Sequence, residues 1–214
     1  SVSIGAAVTF GSIVRNPLLK ERYPLLTQAA STVGGPAIRN MASIGGNIVT
    51  ASPAADSLPA LYLLDARLEL RSATGSRSVA IDEFILGPRR TLLQPGEIIS
   101  RIILPPAQEW SIQCFEKVGR RKSLAIAVAS LAAMLRLAAD GTVTEARFAW
   151  GSVGPTVLRC PGAEAALIGK PLSEATLQAA AALAQQAVQP IDDIRATADY
   201  RRTVAGNLLF RLVA

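Results

Sequence analysis

Half of the 214 residues are apolar but only 5% are aromatic, and charged residues make up 18%. A chain of this length can bury a substantial core, built here mainly from Ala, Leu, Ile and Val. The net charge is +6, histidine is absent, and cysteine occurs only at Cys114 and Cys160. The lack of histidine excludes Ser-His-Asp and Cys-His catalysis and most zinc sites. Two separated cysteines fall short of the roughly four ligands an iron–sulfur cluster needs, and they read as reduced thiols of a cytoplasmic protein. No catalytic or metal-ligating side chain is therefore expected, and a bound cofactor must carry any chemistry.

The basic residues are scattered in short clusters at Arg89-Arg90, Arg120-Arg121-Lys122 and Arg201-Arg202, none interleaved with aromatics. Nucleic acid is not the expected partner. An anionic cofactor or an acidic subunit would use the same charge. Nor is a membrane: the longest uncharged apolar run, from Ser123 to Leu135, lies between Lys122 and Arg136. That is shorter than the roughly 20 residues of a spanning helix.

In chain order, Val2, Ile4 and Ala6 alternate as in a strand. A helix is predicted from Leu25 to Val33, stopped by Gly34-Gly35-Pro36, followed by a loop from Ile38 to Asn47. A short helix is expected over Ser57–Leu64, strands at Arg67–Arg71 and around Val79–Ile81, and a strand within Glu97–Leu104. Pro105 to Glu109 reads as a domain boundary, separating residues 1–106 from 110–214. Beyond it, Trp110–Val118 alternates with Ile112, Cys114 and Glu116 on one side and Gln113, Phe115 and Lys117 on the other. Asp140-Gly141 between two long apolar stretches signals a hairpin. Ser173 caps a helix predicted through Val188, with Leu177, Ala180, Leu183, Ala184 and Val188 inward, and a last helix places Val204, Leu208 and Leu212 inward.

Ser43-Ile44-Gly45-Gly46-Asn47 is the most informative stretch. Adjacent glycines let backbone N–H groups approach a phosphate, and such a concavity of amides binds anions; a tight turn is the plainer alternative. Neither the three-glycine dinucleotide fingerprint nor a Gly-Lys-Ser/Thr phosphate loop is present.

The longer string Ile38-Arg39-Asn40-x-x-Ser43-Ile44-Gly45-Gly46-Asn47-Ile48-x-x-Ala51-Ser52-Pro53-x-x-Asp56-x-x-Pro59 resembles the FAD-binding subunits of molybdenum hydroxylases, the xanthine and carbon monoxide dehydrogenase type. The likeness continues through Thr91-x-Leu93-x-Pro95-x-Glu97-Ile98-Ile99, Phe115-x-Lys117 and Pro190-Ile191-Asp192-Asp193-x-Arg195 with Tyr200-Arg201-Arg202. It implies an α+β chain: the C-terminal part of a vanillyl-alcohol-oxidase-type FAD-binding domain, then a small domain of antiparallel sheet and helices. The resemblance puts a first glycine-rich FAD loop upstream of Ser1, so the chain is expected to begin partway through its FAD domain. It implies that Ser43, Ile44, Gly45, Gly46, Asn47, Asp56, Ile99 and Lys117 contact FAD. The implied partners are a large subunit with molybdopterin and a small one with [2Fe–2S] clusters, and NAD is a candidate acceptor. It also implies acidic residues in some relatives where this chain has Leu124 and Ala125. A stand-alone flavoprotein reductase and a basic scaffold that has lost FAD are the alternative functions.

Overall fold

The computed structural model describes residues 1–121 and 124–213. Strand β1 (Val2–Gly5) leads into six short helices: α1 (Phe10–Arg15), α2 (Pro17–Arg22), α3 (Pro24–Ser31), α4 (Pro36–Met41), α5 (Ile44–Thr50) and α6 (Ser57–Leu63). Prolines open α2, α3 and α4, where the missing N–H has no intrahelical partner to lose and the fixed φ suits the helix. Then follow β2 (Arg67–Ser72), β3 (Gly75–Ala80), α7 (Ile81–Phe84), the small pair β4 (Ile85–Gly87) and β5 (Arg90–Thr91), and β6 (Ile98–Leu104). The second half holds β7 (Ile112–Gly119), β8 (Ala127–Leu137), β9 (Val143–Gly151), β10 (Leu158–Arg159), α8 (Pro161–Ala165), α9 (Glu174–Ala187), α10 (Ala198–Asn207) and a closing 3₁₀ turn, Leu208–Leu212. Two four-stranded antiparallel sheets result, in the orders β1-β6-β2-β3 and β10-β9-β8-β7. The class is α+β, as the residues and the resemblance indicated.

The second sheet is buried on both faces, which explains the unbroken apolar run in β8. Ala132 and Met134 point into the core of the first half. Ala129, Leu131, Ala133 and Leu135 point to the opposite core, under α9 and α10. Trp150 fills that second core, its indole N–H donating to Ala205 O at 2.9 Å and its ring edge-on to Phe148 at 5.8 Å. β7 is an edge strand, and α3 covers it: Gln28 donates to Gln113 O at 3.2 Å and accepts from Phe115 N–H at 2.9 Å. That side chain substitutes for a neighbouring strand and blunts the edge.

Two expectations are corrected. Residues 38–47 are not a loop; α4 runs to Met41 and α5 starts at Ile44, because Ser43 caps the helix by accepting from Gly46 N–H. On α9 the inward stripe is Leu177, Ala180, Ala181, Ala184 and Val188, whereas Leu183 is 38% exposed. Leu183 lies six residues from Leu177, off the i, i+3, i+4, i+7 face that the sheet covers.

Candidate functional site

The alternation along β7 turns Phe115 and Lys117 toward α3 and α6 and turns Cys114 and Val118 to the opposite core. Lys117 Nζ lies 2.6 Å from Asp56 Oδ2 and donates to Thr32 O at 3.0 Å. The two side chains are only 11% and 8% exposed. Asp56 stands at the N-cap position of α6, yet its carboxylate makes no capping bond and is given to Lys117 instead. Its other oxygen, Oδ1, is buried and has no partner among the described residues. Burial pushes the Asp56 carboxyl above the ordinary carboxylate value, against the pull of the Lys117 ammonium. Thr32 is close enough to help, but its hydroxyl proton goes to Ala29 O at 2.8 Å. A buried acceptor without a partner is costly, and here it is one that a ligand donor would satisfy.

Lys117 also lines a cavity of about 300 Å³ together with Thr32, Gly34, Gly35, Arg39, Arg121 and Leu124. Its charged lining is basic throughout. Arg39 is folded onto the carbonyls of Val33 and Gly34 at 3.0 and 3.1 Å, and Arg121 onto Leu124 O at 2.7 Å. Leu124 is held in the left-handed region at φ 54 and is half exposed at the cavity rim. Lys122, the third member of the basic cluster, lies outside the described residues.

The glycine pair behaves differently from the expected amide concavity. Ile44 N–H donates to Val8 O at 3.0 Å, Gly45 N–H to Ala6 O at 2.9 Å and Asn47 N–H to Ser43 O at 3.1 Å. Gly46 N–H is held by Ser43 Oγ at 3.2 Å. All four amides are engaged within the chain. Gly45 is required by close approach: a Cβ would fall 2.6 Å from Ala6 Cβ and 2.8 Å from Ala6 O. Gly46, by contrast, is exposed, and its added Cβ would meet only Ser43 Oγ, at 3.0 Å. The surface left open for a ligand at this turn is that of Gly46 and Ser43.

The sequence-predicted residues therefore separate into groups. Asp56 and Lys117 form one ion pair. Asn47 joins them indirectly, its Oδ1 accepting from Ser57 Oγ at 2.7 Å, next in sequence to Asp56. Ile44 and Ile99 are core residues, 0% and 7% exposed. Ile99 pairs with Leu70 across β6 and β2 and does not line the cavity around Lys117. Sequence reasoning took Gly34-Gly35 only as a helix stop and missed Thr32 and Arg39. The signal was present in the Phe115/Lys117 side of β7, which must face whatever covers that edge.

Residues 1–107 match the family described as FAD binding domain in molybdopterin dehydrogenase, and residues 113–214 match the CO dehydrogenase flavoprotein C-terminal domain. The chain belongs to this family of FAD-binding flavoprotein subunits of molybdopterin dehydrogenases. Among its relatives, the carbon monoxide dehydrogenase medium chain of Hydrogenophaga pseudoflava is 34% identical over 99% of this chain and 73% of that protein. The putative xanthine dehydrogenase FAD-binding subunit XdhB of Escherichia coli K12 is 35% identical over 94% of this chain and 69% of that protein. The solved carbon monoxide dehydrogenase of Hydrogenophaga pseudoflava, lacking the Mo-pyranopterin moiety of its cofactor, superposes with a TM-score of 0.91 at 34% identity, covering 98% of this chain and 72% of that one. Quinoline 2-oxidoreductase from Pseudomonas putida 86 gives 0.93 at 29% identity, covering 99% and 73%.

Proposed function

We propose that this protein relays electrons: substrate oxidised at a molybdenum centre on a large partner subunit delivers electrons through [2Fe–2S] clusters on a small one to FAD held here, and on to NAD⁺ or another acceptor. The observation that carries the reading is Asp56 Oδ1, a buried acceptor without a partner among the described residues, beside a lysine that lines a basic cavity. Asp56 is the anchor for a ligand donor. Lys117 supplies positive charge to the cavity wall, which suits a ring that gains negative charge on reduction. Ser43, Gly46 and Asn47 form the open turn, while Ile44, Gly45 and Ile99 set its backbone and the apolar floor. FAD supplies the redox chemistry, and the protein's contribution is position and electrostatics.

In this reading the domain boundary falls in Pro105–Glu109, with residues 1–106 serving the cofactor and 110–214 forming the C-terminal domain. The gap between the two family matches supports that division. A cytoplasmic location belongs to the same proposal; among the described residues no helix is long and apolar enough to cross a membrane.

The test is an FAD titration of the protein followed by quenching of flavin fluorescence, beside Gly46→Asp and Asp56→Leu. Saturable quenching by the wild type, abolished in Gly46→Asp and weakened in Asp56→Leu, is the expected result. Equal quenching by all three would remove the site, and no quenching by any of them would leave a scaffold that has lost its flavin.

A further inference from the structure

The face of the second sheet turned away from the cavity carries another buried cation. Arg201, on α10, is 3% exposed. Its Nη1 donates to Val128 O at 2.8 Å and to Ser152 O at 3.1 Å, and its Nη2 to Asp193 Oδ1 at 2.6 Å. Val128 lies at the start of β8 and Ser152 directly after β9, so one guanidinium ties together the ends of two neighbouring strands.

Ser152 is held at φ 65, in the left-handed region. A non-glycine residue stays there only where its surroundings over-determine it. The conformation sends Ser152 N–H across to Pro53 O at 2.8 Å. Pro53 is the second residue of the short turn that directly precedes Asp56, closed by Ala55 N–H on Ser52 O at 3.0 Å. Gly151 lets the strand end come this close, since a Cβ there would lie 2.6 Å from Ser130 Oγ and 3.1 Å from Pro59 Cγ. Ser130 in turn is the register partner of both Gly151 and Lys117. Lys117, Ser130 and Gly151 thus form one row across β7, β8 and β9, with Asp56 at one end and the Arg201 clamp at the other.

An apolar side chain would fill the volume under Ser152 without the desolvation cost of a buried cation, and Arg201 Nε is itself without a partner among the described residues. What the fork adds is direction: it fixes two carbonyls that an apolar group leaves free. We propose that Arg201 is a positioning residue for the cofactor pocket, setting through Ser152 and Pro53 where Asp56 meets Lys117. Its consequence for FAD rests on the flavin-site reading; the link itself joins residues of this chain alone.

The full chain carrying Arg201→Met is compared with Arg201→Lys and Asp193→Asn by three readouts. These are hydrogen exchange at the Ser152 amide, the ¹⁵N signal of the Lys117 ammonium, and FAD affinity with the visible circular dichroism of bound flavin. In Arg201→Met, Ser152 exchanges at least roughly tenfold faster while the central amides of β8 keep their protection. The Lys117 signal moves, FAD binds about tenfold more weakly, and the flavin dichroism changes. Arg201→Lys restores part of the affinity. If Arg201→Met does not fold, Asp193→Asn, which leaves both carbonyl bonds in place, shows the same changes in smaller degree. An unchanged Lys117 signal in a folded variant whose Ser152 amide has lost protection overturns the proposal, as does an unchanged Ser152 amide. Failure of the wild type to bind FAD overturns the flavin-site reading instead, and the first two readouts still decide the role of Arg201.

Discussion

Each face of the β7–β8–β9 sheet buries one cation against one aspartate, and the two pairs are built differently. Toward the N-terminal helices, Lys117 meets Asp56 at 2.6 Å, and one oxygen of that aspartate has no partner among the described residues. Toward the C-terminal helices, Arg201 meets Asp193 at the same distance, but Asp193 Oδ1 also accepts from the N–H groups of Arg195 and Ala196, at 2.8 and 3.3 Å. The carboxyls respond in opposite directions. Burial raises Asp56 and the Lys117 charge only partly offsets it. Burial also acts to raise Asp193, but the Arg195 N–H, the Arg201 guanidinium and the Ala196 N–H together bring it below the ordinary value. A saturated anion suits a strut, and an anion with an open oxygen beside a basic cavity suits the ligand anchor proposed for Asp56.

The largest effect that separates the two comes from Lys117→Met. It leaves the Asp56 carboxylate buried and uncompensated, so urea unfolding should show a loss of roughly 3–5 kcal/mol. Replacing both members, as Asp56→Leu with Lys117→Met, removes the charges together and should recover most of that stability while FAD binding stays weakened. Recovery of binding along with stability would make the pair structural and erase the contrast with Arg201.

The second contrast lies within one dipeptide. Gly45→Ala drives a methyl into the Ala6 backbone, and overpacking of that kind costs about 1–3 kcal/mol. Gly46→Ala meets only the cap hydroxyl and gains helix propensity, so its stability changes by less than about 1 kcal/mol. The two variants should reverse order for FAD: Gly46→Ala weakens binding more than Gly45→Ala does. Thermal unfolding and flavin titration on the same samples decide it.

How much of this was legible beforehand follows from the same residues. The longer strands and the helices α3, α6, α9 and α10 were readable because period-2 and period-3.6 patterns, Pro and Gly breakers and the Ser173 cap are local signals, whereas the short helices α1, α2, α4, α5, α7 and α8 were not. Ser43-Ile44-Gly45-Gly46-Asn47 singled itself out by its glycine pair, but not the reason for Gly45. That glycine is dictated by Ala6, directly after β1 and some forty residues earlier in the chain, and its amide pairs there and not with an anion. Asp56 and Lys117 were each named, yet their contact joins positions 61 residues apart and has no local signature. The helix from Ile44 was missed because two glycines argue against helix by propensity, and the cap and the packing on Ala6 overrode it.

A smaller effect bears on how the two halves of the chain are joined. Trp110, just past the Pro105–Glu109 stretch, has the guanidinium groups of Arg136 and Arg147 over its ring, 4.6 and 5.2 Å from the ring centre. Arg147 also reaches back to Asp65 at 2.7 Å, from the second sheet to the first half. Each stacked guanidinium at such a partly exposed site contributes about 0.5–1 kcal/mol. Trp110→Leu should lower stability by about 1 kcal/mol without altering FAD affinity, since no member of this stack lines the cavity beside Lys117. A change in affinity would tie the two halves together at a second point besides Arg201.

The smallest effect turns the opposite pKa directions into a measurement. Arg77 holds both oxygens of Glu97, at 2.7 and 2.9 Å, and Gln94 N–H adds a third bond at 2.8 Å. The Arg77 guanidinium first, then that amide, bring the Glu97 carboxyl down to about 2, from an ordinary value of about 4.3. A carboxyl depressed on folding stabilises the native state fully above its unfolded value, and the contribution is lost as the pH falls through the folded one. The stability gap between wild type and Glu97→Gln should therefore be flat above about pH 5, narrow below it and close near pH 2. Asp56 carries the reverse sign: with its carboxyl raised on folding, its contribution is greatest at low pH and is lost as the pH rises through the native value. A Glu97→Gln profile subtracted from wild type isolates the first slope, and the second then remains in the variant's own curve. A gap that is still open at about pH 2 would mean that Arg77 does not hold Glu97 in this way, and the surface pair would then be no reference for the buried one.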